Sequence, residues 1–97
     1  MNMKVRIKAV TMPDGTPRAD DKYPVRVGST FEVVQLESGL RMMLDYICDN
    51  EGRPQIGTLV TSPVTAINYG NGDIDVIQVI TRNSVYFLER VMDDAAN

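Results

Sequence analysis

Apolar and polar residues alternate along most of this chain with a period close to two. At that spacing successive side chains fall on opposite faces of a strand. From Lys4 to Val10 the alternation places Val5, Ile7 and Ala9 on one face and Lys4, Arg6 and Lys8 on the other. Met12 to Thr16 carry turn chemistry, with Pro13 presetting φ and Asp14-Gly15 tolerating left-handed backbone. Residues 12–22 as a whole read as a polar, aperiodic loop and the segment expected to be most mobile. Residues 25–27 and 31–33 flank Gly28 and Ser29, the pattern of a tight hairpin with glycine first in the turn. Ser38 and Gly39 break the chain again.

Two templates fit residues 40–48. As a strand, Leu40, Met42, Leu44 and Tyr46 share a face; as a helix, Leu40, Met43, Leu44 and Ile47 align behind Ser38 as N-cap. Strands on both sides favour the strand, and the alternative is an α+β domain with one short helix. Residues 59–67 are rich in β-branched side chains, and Pro63 among them marks either a sheet edge or a bulge, since it has no N–H for a ladder. Asn71-Gly72 is the strongest turn signal in the chain. The apolar phase changes after Asp75, which a β-bulge near Val76 and Ile77 explains. Residues 85–88 are apolar on both faces, as expected where a sheet closes on itself; Phe31 and Phe87 read as core. Residues 92–97 form a short acidic tail expected to fray. Turn signals near positions 14, 28, 38, 52, 71 and 83 predict one all-β domain over 97 residues. The expected architecture is a small SH3-like barrel or sandwich of five to six mostly antiparallel strands.

Composition narrows the chemistry. The chain has no histidine and one cysteine, so a histidine-dependent triad, a Cys₂His₂ or Cys₄ zinc site and an internal disulfide all lack their residues. Cys48, with no histidine to activate it, reads as a small, semi-buried apolar residue of a protein in a reducing cytoplasm. No signal-peptide pattern opens the chain and no apolar run is long enough to span a bilayer. No phosphate-binding glycine loop is present either. The expectation is a protein that is not an enzyme, with no cofactor, no metal and no membrane association.

The net charge of −3 is unevenly spread, the first 48 residues carrying seven basic and six acidic groups and the rest three and seven. That balance disfavours nucleic acid as the main partner. Asp73 and Asp75 project from one strand face, where they could hold a cation or act as acid and base. The plainer reading makes them a solvent face that pairs with the stripe Lys4, Arg6 and Lys8 across neighbouring strands. That stripe could alternatively track a phosphate backbone. Thr81, Arg82, Asn83 and Ser84 form a polar cluster between apolar strands. Arg82, Asn83 and Ser84 could clamp a phosphate or a partner's carboxylate, or close a hairpin that satisfies its own backbone.

Residues 59–64 and 81–88 resemble a pattern found in small uncharacterised proteins of gut Firmicutes, their phages and integrative elements. Residues 26–33 are similar to the glycine-then-aromatic opening of a strand in SH3-like barrels. The resemblance implies a compact β module that binds a protein, such as an inhibitor of a host defence system, and it brings no catalytic residue. Taken together, the expectation is a non-enzymatic protein-interaction module. The alternative is a small barrel that binds a nucleotide or a single-stranded oligonucleotide. An open edge beside Pro63 would also invite pairing between copies.

Overall fold

The structure is a computed structural model that describes residues 3–18, 26–70 and 76–91. Six strands follow one another: β1 (Lys4–Thr11), β2 (Thr30–Gln35), β3 (Arg41–Cys48), β4 (Thr58–Tyr69), β5 (Val76–Thr81) and β6 (Val85–Arg90). Each pairs antiparallel with the next, and β6 returns to β1, so the sheet closes into an all-β barrel. The β1–β2 seam is short, spanning Lys4–Glu32 to Arg6–Thr30, whereas β1 and β6 pair from Val5–Arg90 to Thr11–Val85.

Alternation explains most of the core. Val5, Ile7, Phe31, Met42, Leu44, Val79 and Leu88 are fully buried, each at a period-two position of its strand. Burying a side chain of this size contributes about 1.5–3 kcal/mol. Phe31 stacks on Tyr46 with ring centroids 4.4 Å apart and planes tilted by 47°. Residues 41–48 are the strand β3, with Met42 and Leu44 facing in and Leu40 left exposed just before it.

Several local expectations need correction. The register of β1 against β6 shifts between Ile7 and Ala9, so Val10 rather than Ala9 completes the inward face of β1. The segment after β1 is not aperiodic as far as residue 18. Thr11 bridges Pro17, Met12 N–H donates to Thr16 O at 2.7 Å, and Arg18 N–H donates to Val10 O at 3.0 Å. Residues 26–28 belong to no strand, and Val27 and Gly28 form a turn, so Gly28-Ser29 does not join two paired strands. Gly28 N–H instead donates to Ile7 O at 2.8 Å and Ile7 N–H to Ser29 O at 3.2 Å, docking the turn on β1. Gly28 has φ +92°, and an added Cβ would stand 3.2 Å from Cβ of Asn50, so the position needs glycine twice over.

Pro63 marks a bulge. Register shifts lie on both sides of it, between Arg41 and Met43 on β3 and between Val64 and Ala66 on β4. Pro63 stands opposite Arg41, and the Pro63 carbonyl accepts Arg82 N–H at 3.2 Å, so the open edge expected beside Pro63 is absent. The bulge expected at Val76 and Ile77 is absent too, because β5 pairs with β6 in unbroken register from Val76 to Ile80. The turn at Asn71-Gly72, the residues Asp73 and Asp75 and the tail 92–97 lie outside the described residues.

Candidate functional site

The turn between β5 and β6 is closed by its own polar groups. Thr81 N–H donates to Ser84 O at 2.8 Å, and Ser84 N–H donates to the Thr81 hydroxyl oxygen at 3.1 Å. The Ser84 side chain is buried and accepts from Nε of Arg18 at 2.9 Å, while an Arg18 terminal nitrogen donates to Asn83 O. Of the three residues picked out in this turn, Arg82 and Asn83 face solvent and Ser84 is spent on structure. The guanidinium that clamps the turn is Arg18, which sequence reading did not single out. A lone arginine 66 positions away carries no local signal.

The basic stripe lies elsewhere. Arg6 and Lys8 are exposed and Lys4 is half-buried on the outer side of β1. Their carboxylate comes from β6: Glu89 lies 3.6 Å from Arg6 and 3.9 Å from Lys8. Arg6 stands opposite Glu89, five residues along β6 from Ser84, which is about 17 Å at strand rise. The two groups of candidate residues therefore do not form one site.

The structure forms two outward faces that sequence reading did not assemble. On β4, β5 and β6 a cross-strand row runs Asn68, Gln78, Phe87, each opposite the next. With Tyr69, Gly70 and Val76 these residues line an open cleft of about 290 Å³. Phe87, expected in the core, lies on the outer face because Tyr86 and Leu88 take the inward positions. Asn68 Nδ2 donates to Gln78 Oε1 at 2.8 Å.

The second face covers β2, β3 and β4. Met43 stands opposite both Gln35 and Val60, and Val34 is the extra residue of the adjoining bulge. Next to this row run Glu32, Asp45 and Thr58, with the Thr58 hydroxyl donating to Asp45 at 2.7 Å. Beyond it Ile56, 95% exposed, borders a cleft of about 310 Å³ with Tyr46, Gln55 and Gly57. Ile47 on the same outer side of β3 is also exposed. The loop that carries this end is held by Asp49, whose carboxylate accepts from the N–H groups of Arg53 and Glu51, both at 2.9 Å. Those donors, that of Arg53 first, hold the Asp49 carboxyl below its ordinary range; Thr16 does the same for Asp14.

Among the described residues no three His, Cys, Asp or Glu side chains stand close enough to share a metal ion, and no buried side-chain polar atom lacks a partner. Cys48 is a free thiol, partly buried opposite Thr30 at the end of β3. No helix among these residues is long and apolar enough to cross a membrane. No family model, no curated protein and no solved structure matches the chain.

Proposed function

We propose that the protein is a non-enzymatic interaction module that binds a protein partner through the outer face of β2, β3 and β4. The supporting observation is the apolar row Val34, Met43 and Val60 with Ile47 and Ile56 beyond it, all on the water side of a barrel whose core is built from other side chains. Side chains of this kind gain about 1.5–3 kcal/mol each when a partner covers them. The acidic residues Glu32 and Asp45 between the apolar groups supply directional contacts to basic or amide groups of that partner. A small SH3-like barrel acting in the cytoplasm suits this reading, with a host-defence protein of a mobile element's host as its sharpest form. An acidic chain can compete for a channel built to hold nucleic acid.

The test compares two baits in an extract of the native host. The wild-type chain should capture a protein that the variant Ile56→Asp, Val60→Lys loses while keeping its melting temperature. Identical captured sets from both baits would refute this use of the face. Substituting the row Asn68, Gln78 and Phe87 should leave capture unchanged.

A further inference from the structure

The opposite face suits a different kind of ligand. Phe87 presents a half-buried ring on the outside of β6, and the exposed Tyr69, which stands opposite the inward Ile77, borders the same cleft. In one row with Phe87 the amides of Asn68 and Gln78 bond to each other in one direction only. The Asn68 carbonyl oxygen and the Gln78 NH₂ group thus have no partner among the described residues. An amide acceptor and an amide donor in one cross-strand row complement the donors and acceptors along a nucleobase edge. Along the Phe87 side runs β1, where Ala9 stands opposite Phe87 and Lys8 occupies the bulge beside it. Arg6 follows one row further. An aromatic plane, polar amides and flanking cations are the three elements by which a protein holds a single strand: stacking, base contact and phosphate neutralisation.

We infer that the cleft lined by Asn68, Gln78 and Phe87 seats one base of a single-stranded oligonucleotide, with Lys8 and Arg6 taking the adjoining phosphates. Glu89 bridges these two cations in the free protein and gives up its hold on them when phosphate arrives. A cleft of about 290 Å³ lies at the small end of ligand sites, which limits it to one base at a time. The chain's net charge of −3 opposes polyanions as a whole, so binding rests on this local arrangement and shows best at low salt. The site is independent of the partner face on β2, β3 and β4.

The experiment measures fluorescence anisotropy of labelled eight-nucleotide single strands of each base, in deoxy and ribo form, at low salt. Saturable binding is expected in at least one arm, and either sugar supports the site. Phe87→Leu, which keeps an apolar side chain in place, should weaken it about tenfold. The double variant Asn68→Ala, Gln78→Ala should change the ranking of the four bases. Lys8→Ala should make binding less sensitive to salt. Melting curves of each variant establish that it is folded, and Val60→Lys should leave oligonucleotide affinity unchanged. Absence of binding in every arm would overturn the inference. So would binding that folded Phe87→Leu and the double amide variant both leave intact, or that inorganic polyphosphate matches, since phosphate attraction alone would then suffice.

Discussion

The two outward faces of this barrel rest on one core and share the strand β4, yet they carry opposite chemistry. The face on β2, β3 and β4 exposes aliphatic groups around an acidic row, Glu32 and Asp45. The face on β1, β6, β5 and the second half of β4 exposes an aromatic ring, two amides and two arginine or lysine side chains. The strand β4 serves both faces because residues 58–63 pair with β3 and residues 64–69 with β5, with a bulge on each side of Pro63. Before these bulges Leu59 and Thr61 point inward, after them Val64 does, and beyond the second shift Ile67 packs on the core. Each extra residue reverses which parity faces water. The two reversals cancel, so Val60 and Asn68 both face water, the one beside Met43 of β3 and the other beside Gln78 of β5.

The largest test of that comparison removes what the faces share. Leu88→Ala empties a fully buried position beneath both, and the expected cost is about 2–5 kcal/mol in urea denaturation. Partner capture and oligonucleotide binding should then fail together; loss of one alone would mean that the faces do not depend on a common core. Ser84→Ala comes next. It takes away the acceptor of the part-buried Arg18 Nε, for an expected loss of about 1–3 kcal/mol, with both binding surfaces unaffected in the folded protein. A melting temperature equal to wild type would show that the Arg18–Ser84 bond contributes nothing to the closure of that turn.

Glu89→Gln should cost less than about 1 kcal/mol, because its two ion pairs are solvent-exposed. Its informative effect is on the comparison. Freeing Arg6 and Lys8 should tighten oligonucleotide binding and steepen its salt dependence while leaving protein capture untouched. The smallest effect is in acid. Backbone donors lower the Asp14 and Asp49 carboxyls from 3.8, so their contribution is complete above that value and is lost as pH falls through their lower folded pKa. Stability should decline below about pH 4, and Asp49→Asn should flatten that acid limb in thermal melts. The loss belongs to the loop beside Ile56, so the partner face should respond before the cleft on β4, β5 and β6.

Particular residues show how far the pattern could be read. Val5, Ile7, Met42 and Leu44 were legible as core because a strand half in water writes its orientation into alternating residue types. The strand over 41–48 was legible for the same reason, even though four residues also fitted a helix. Phe87 was misread because an aromatic residue in an apolar run looks like core from either parity; only pairing with β1 and β5 decides that Tyr86 and Leu88 turn inward. The candidate site fared similarly. Lys4, Arg6 and Lys8 were visible as a stripe, but the carboxylate that meets Arg6 and Lys8, Glu89, is brought by ring closure between the first and last strands. The clamp of Arg18 on Ser84 was invisible for the same cause.

What the amino-acid sequence by itself determined is local: where the chain turns, which residues alternate, and which chemistries lack their side chains. Glycine at position 28, the break at Pro63 and the polar closure of residues 81–84 belong to that class, since backbone sterics and missing N–H groups act within a few residues. Tertiary structure decided which parity counts as outside after each bulge, and which rows from distant strands lie side by side. Those decisions depend on register, and register is set by packing the whole core at once, because a slip of one residue would turn buried side chains into water.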